Sequence, residues 1–218
     1  MRRVPLLLGG LFVAVPLACA PVAPPPVVPA PAVAPPTLSD ADWGRFRSER
    51  QGLSIPLPEG KLWRIDDHSS SWLDAVHPPT QSRVRARAWL EPKPVNQAGC
   101  QAEARRFAPD LPVPSEGSVV DQFESSDMFA SGFASRVVVG IDDADPKSGE
   151  VGGYVLAVGV EGRRCIAMVF TARGTGAKGE VLGERLGLGT RIVESTVYLS
   201  RLPGEGPLEP VGSPVRPE

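Results

Sequence analysis

Three kinds of residue in this chain have the types and spacing to do chemistry. The first is a cysteine behind an apolar run, Pro16-Leu17-Ala18-Cys19, where a thiol can carry a lipid. The second is a pair of later cysteines, Cys100 and Cys165, which can join in a disulfide. The third is a row of guanidiniums in RVRARAWLE (83–91). There Arg83, Arg85 and Arg87 alternate with small apolar residues and end beside Trp89. On an extended strand, alternate side chains share a face about 7 Å apart. Such a row could meet a carboxylate or phosphate through paired, charge-assisted hydrogen bonds. The competing reading is an ordinary solvated sheet face, or one covered by a helix with the arginine stems as packing.

Other motifs imitate catalytic ones. GTGAKG (174–179) is a literal G-x-G-x-x-G between a predicted strand and a predicted helix. A dinucleotide site also needs a parallel βαβ unit and an acidic residue about 20 positions on. The chain there reads TVYLSR, so the expectation is a glycine-rich turn that opens a helix. It is not a Walker loop, because no Ser or Thr follows a Gly-Lys pair. DDHSSSW (66–72) sets Asp, His and Ser side by side, but a triad needs groups that converge in space. No G-x-S-x-G elbow occurs, and a solvated loop is expected. His68 and His77 are the only histidines, and zinc held by both plus Asp66 or Asp74 is a remote reading. DDADPKSGE (142–150) lacks EF-hand spacing and reads as a polar hairpin loop. No catalytic residue, metal site or cofactor is therefore assigned.

The elements that must position these groups begin after residue 40. Residues 1–20 carry Arg2 and Arg3 ahead of fifteen uncharged residues, VPLLLGGLFVAVPLA. That is shorter than the roughly 20 residues of a membrane span and fits a secretory signal peptide. Cleavage before Cys19 leaves a lipidated cysteine; cleavage after Ala20 removes it. The lipobox match is imperfect, because Pro16 stands where Leu is usual. Residues 21–39 form a Pro/Ala/Val-rich tether, with eight prolines and no charge in 21–37. Such a run stays extended and spans on the order of 50 Å at about 3.1 Å per residue. A stiff spacer suits a domain tied to a membrane. Residues 40–201 are expected to fold as one domain, and the tail 202–218 to be disordered.

Loss of residues 1–20 removes two arginines, leaving 21 basic against 25 acidic side chains, a formal charge of −4. A general nucleic-acid binder would be basic. An exported chain meets an oxidising compartment, where Cys100 and Cys165 can pair. The alternative is two buried thiols.

Within the domain, GLSIPLPEGKLWRI (52–65) starts with a short strand broken by Pro56 and Pro58. In 83–91, Val84, Ala86, Ala88 and Leu90 share one face of a half-buried strand. NQAGCQAEARRFAPD (96–110) reads as a helix, with Cys100, Ala104 and Phe107 on one face, Asn96 as cap and Pro109 as stop. Three strands follow, in 129–142, 153–162 and 163–172, joined by links short enough for antiparallel hairpins. GEVLGERLGL is helical, and RIVESTVYLSR runs into a strand. The fold class is α+β: an antiparallel, meandering sheet of five to seven strands with helices packed on it.

One resemblance supports this. Phe46, then GLSIPLPEGKLW (52–63), then RIVESTVYL (191–199) around a central meander resemble the PsbP-like family, named for an extrinsic subunit of photosystem II. The resemblance implies an α/β/α sandwich and a non-enzymatic accessory or binding domain, and carries over no functional residue. The expected function is an exported, lipid-anchored envelope accessory or binding module. Its partners would be the membrane through the lipid, and an envelope protein or anionic ligand, with no nucleic acid. The alternatives are a small extracytoplasmic hydrolase or a purely structural envelope component. The expected location is the bacterial cell envelope, anchored in the outer membrane, or else the periplasm or exterior.

Overall fold

The computed structural model describes residues 38–126, 128–130, 132–142, 148–175 and 179–199. The expectations for the leader, Cys19, most of the tether, and the tail lie outside the described residues.

Alternation dictates the central strand. In β5 (Ser82–Leu90), Val84 and Ala86 are fully buried on one face, and Arg83, Arg85 and Arg87 lie on the other. Two meanders meet at this strand. The first is β3 (Arg64–Asp66), β4 (Leu73–His77) and β5. The second is β6 (Val119–Ser125), β7 (Ala134–Ile141), β8 (Glu150–Glu161) and β9 (Arg164–Thr175). Pairing of β5 with β9 joins them into a seven-stranded antiparallel sheet, ordered β3-β4-β5-β9-β8-β7-β6. The β8–β9 hairpin closes after the pair Glu161–Arg164, with Gly162 at φ 57° in its turn. Left-handed backbone of this kind favours glycine.

A second sheet, not foreseen as separate, pairs β1 (Gly44–Ser48) and β10 (Val197–Tyr198) on either side of β2 (Leu53–Leu57). Pro56 does not break β2. It lies beyond the stretch that pairs with β10, opposite Arg45 of β1. Two strands of the large sheet were also unread. β4 is only five residues long, and β6 is a polar edge strand with an irregular register at Val119 and Asp121.

Each face of the large sheet has its own core. On one, β2 and α2 (Gly179–Glu194) bury Leu53, Ile55, Val84, Val155, Phe170 and Ile192. On the other, α1 (Gln97–Phe107) buries Trp89, Cys100, Ala104, Leu156, Cys165 and Val169. The result is the expected α+β sandwich. α1 begins where Asn96 Oδ1 accepts the Gly99 N–H at 2.9 Å and ends before Pro109. Its inward Cys100 meets Cys165 of β9 at disulfide distance, with Cα atoms 5.6 Å apart.

α2 packs closely on β9 because Gly189 has no side chain. A Cβ there would stand 2.3 Å from the Phe170 ring, whereas one at Gly183 would meet nothing within 4 Å. Two expectations follow for denaturant unfolding. Gly189→Ala should lose about 2 kcal/mol or more through overpacking. Gly183→Ala should gain about 0.5–1 kcal/mol through lower chain entropy and better helix propensity. Separately, replacing Cys100 and Cys165 together by Ala should cost about 4 kcal/mol against the oxidised protein, the chain-entropy value for a separation of 65 residues. An unchanged midpoint with or without reductant would show that no bond forms.

Candidate functional site

The arginine row of β5 lies beside α1 and the loop after it. Arg83 forms a two-point contact with Asp74, which includes Nε to Oδ1 at 2.7 Å. Arg85 Nη1 donates to Asp110 Oδ2 at 2.8 Å, and its guanidinium lies 5.2 Å from the Trp72 ring. Arg87 sits 3.4 Å over Phe107 and donates to Ser71 Oγ at 2.8 Å. The electrostatics follow these contacts. The hydrogen bond from Arg85 holds the Asp110 carboxyl below its usual range. The bond to Asp74 raises Arg83, and burial lowers Arg87. Trp89 is buried beneath Phe107 and donates from Nε1 to Glu91 at 2.7 Å. All three guanidiniums are thus engaged by the fold: Arg85 and Arg87 fasten α1 and its loop to the sheet, and Arg83 joins β5 to β4.

The DDHSSSW segment is a turn. The Asp66 carboxylate accepts the backbone N–H groups of Ser69 and His68, each at 2.9 Å, and these bonds lower its pKa to about 2. Asp67 is buried and bonded to Ser48 and Arg50. His68 is exposed on that turn and His77 is buried in β4, so the zinc reading's ligands are not brought together. Among the described residues, no three potential metal ligands converge. The glycine-rich segment opens α2 at Gly179, with 176–178 outside the described residues. In the polar loop, 143–147 also lie outside them.

The structure instead assembles a buried series that sequence order conceals. His77 Nδ1 lies 2.8 Å from Thr80 Oγ1, whose hydroxyl donates to Ser82 Oγ at 2.9 Å. His77 Nε2 lies 3.4 Å from Glu59, and the Trp63 ring packs against the imidazole. Carboxylate, imidazole and hydroxyl therefore stand in the order of a nucleophile triad. However, His77, Thr80 and Ser82 are 1%, 3% and 0% exposed. In this arrangement the series is a core polar network. Glu59 also accepts the Ser39 N–H at 3.3 Å, so the network ties β4 to the start of the folded region.

Two of the concave surfaces among the described residues flank the β6–β8 half of the large sheet, and the sequence does not reveal them. One is an apolar groove of about 370 Å³ between α2 and the β6–β8 half of the sheet, with Val139, Ile141 and Leu186 in its walls. The other is a pocket of about 240 Å³ between α1 and the β7–β8 half, lined by Gln97, Gln101, Arg105, Arg136, Val138 and Leu156, among others. Its only sequence signal is the polar i, i+4, i+8 series Gln97, Gln101, Arg105, which borders the helix's buried face.

No family model matches the chain, and no curated protein is significantly similar to it in sequence. Solved structures with a similar backbone course exist. A protein from Bacteroides thetaiotaomicron is 13% identical over 74% of this chain, with a TM-score of 0.42, and this chain spans 49% of it. Cyanobacterial PsbP (CyanoP) from Synechocystis is 10% identical over 77% of this chain and 98% of its own, with a TM-score of 0.43. LpqN of Mycobacterium tuberculosis, described as involved in cell envelope biogenesis, is 15% identical over 73% and 91%, with a TM-score of 0.37. Likenesses of this size say nothing of ligand, partner or compartment.

The His77 network makes stability pH-dependent. Burial lowers the imidazole pKa below 6.5, opposed by Glu59 and reinforced by Arg185. A group whose folded pKa is depressed binds more protons in the unfolded state at mildly acidic pH. This contribution should therefore be complete above about pH 7.5 and fall as pH drops through about 6.5, by at most about 1.4 kcal/mol per unit. Urea unfolding from pH 8 to 5 measures it, and His77→Gln should flatten the slope.

Proposed function

We propose that this chain is an exported binding or accessory module of the cell envelope, a globular head carried on a proline-rich tether from a lipidated Cys19. The observation that carries the reading is the approach of Cys100 and Cys165 to disulfide distance between α1 and β9. A stable disulfide belongs to an oxidising compartment, and the apolar leader of residues 4–18 supplies the route there. Lipidation at Cys19 contributes about 0.8 kcal/mol per buried CH₂, and more than one acyl chain gives stable anchoring. The partners in this reading are the membrane, through the lipid, and an envelope protein or anionic ligand at the head.

A hydrolase reading has one observation in its favour, the Glu59–His77–Thr80 series. It requires the core to open, because a substrate carbonyl must come within about 3 Å of the hydroxyl, and Thr80 is 3% exposed. Binding is therefore the better-supported reading.

The test is the intact mass of the protein extracted from its own cells, with and without reduction before alkylation. The expected species begins at Cys19, carries acyl chains, and exposes two alkylatable thiols only after reduction. A species beginning at Pro21 without lipid would remove the anchor and leave a free periplasmic or secreted module. Thiols that alkylate without reduction would remove the argument for export.

A further inference from the structure

The geometry points to a binding site for a small organic anion in the pocket between α1 and the β7–β8 half of the large sheet. Arg105 and Arg136 would hold a carboxylate or phosphate head, and the apolar floor would take a short apolar body. This goes beyond the envelope reading and does not depend on it.

Charge supplies the first argument. Elsewhere in the described residues, Arg50, Arg83, Arg85 and Arg191 each meet a carboxylate within 4 Å. Arg105 and Arg136 form no such pair among the described residues; neither do Arg45, Arg64, Arg87 and Arg163, and what sets these two apart is that both line this pocket. Arg136 donates to the neutral amide oxygen of Gln122. Glu124 lies opposite Arg136 in the β6–β7 register without forming an ion pair. No acidic side chain is among the residues that line the pocket. Two cations therefore border one concave surface on a chain whose formal charge is −2.

The second argument is a missing partner. Arg105 Nε is buried and has no hydrogen-bond partner among the described residues. A buried polar donor without a partner costs about 1–3 kcal/mol, and more when charged. An arginine that merely covered the sheet with its stem would keep its nitrogens in water. Here Nε is sealed from solvent, and the same residue lines a space large enough for a ligand. A guanidinium fork matches the geometry of carboxylate and phosphate.

The third argument is rigidity. Gln97, Gln101 and Arg105 lie one turn apart on α1, whose Cys100 and Ala104 are locked into the core. Gln97 Nε2 donates to the Val158 carbonyl of β8 at 3.1 Å, which fixes the wall at one end. Val138, Leu156 and Val158 form a floor that is 3–5% exposed. A site of about 240 Å³ falls just below the roughly 300–1,000 Å³ usual for ligand pockets, which sets the ligand as small.

Calorimetric titration of the full chain, purified in detergent, tests this with two probes: hexanoate, a carboxylate with an apolar body, and inorganic phosphate. The expected result is one saturable site for at least one probe. Its affinity should weaken at least about tenfold in Arg105→Gln and in Arg136→Gln. It should be unchanged in Arg47→Gln, whose arginine is exposed and paired with Glu49. The stronger probe identifies the head and shows whether the floor is used. Thermal midpoints are read alongside, and Arg105→Lys, which keeps charge and stem, replaces any glutamine variant that fails to fold. The proposal is overturned if neither probe saturates, or if binding survives either arginine substitution undiminished.

Discussion

Pairing of β5 with β9 is the contact on which the rest depends. Eight residue pairs, from Arg83–Thr171 to Leu90–Arg164, join two meanders that are otherwise local. Closing a loop of that length costs chain entropy before any contact offsets it. The compensation is two-sided. Val84, Ala86 and Ala88 feed the core beneath α2, while Trp89 and Cys165 meet on the opposite face beneath α1. Once that register is set, a one-residue slip would exchange the two faces, carrying Val84, Ala86 and Ala88 under α1 and the arginines under α2. The approach of Cys100 to Cys165 lies on the same seam, so α1 is located by the pairing it covers.

Arginine serves two different purposes in this architecture. On β5 the guanidiniums are fastened by Asp74, Asp110, Ser71 and the rings of Trp72 and Phe107. Arg85 and Arg87 bridge the sheet to α1 and its loop, while Arg83, 43% exposed, ties β5 to β4. Arg105 and Arg136 line the pocket instead: Arg105 Nε has no hydrogen-bond partner among the described residues, and Arg136 is held only by the neutral Gln122 amide. The difference lies in the contacts: an acid reaches each of Arg83 and Arg85, whereas Arg105 and Arg136 share the pocket lining with Gln97 and Gln101, and Arg136 bonds to Gln122.

The histidine network shows the same dependence on context. His77, Thr80 and Ser82 form a hydrogen-bonded series with Glu59 close to the imidazole at 3.4 Å, and Glu59 in turn accepts from the start of the folded region. In an open cleft such a series would invite a catalytic reading. Its near-complete burial makes it a core element, in which Nδ1, Thr80 and Ser82 are hydrogen-bonded and His77 Nε2 has no such partner among the described residues.

Much was legible in the sequence wherever a local rule governs. Period-two burial defined β5, the 3.6-residue repeat with Asn96 and Pro109 bounded α1, and short polar links declared the β7–β8–β9 hairpins. The inward direction of Cys100 followed from the same periodicity. The polar edge strand β6 and the five-residue β4 escaped because neither carries a pattern long enough to stand above its surroundings. Side-chain pairing escaped for a different reason. Residue type alone does not say whether Arg87 will face water or lie on Phe107, or that His77 rather than His68 will be surrounded by hydroxyls. Sequence by itself determined the strongly patterned elements, their polarity and the candidate groups. Only the tertiary structure decided which charges are neutralised and which line a pocket, because that depends on which distant residues come within about 4 Å.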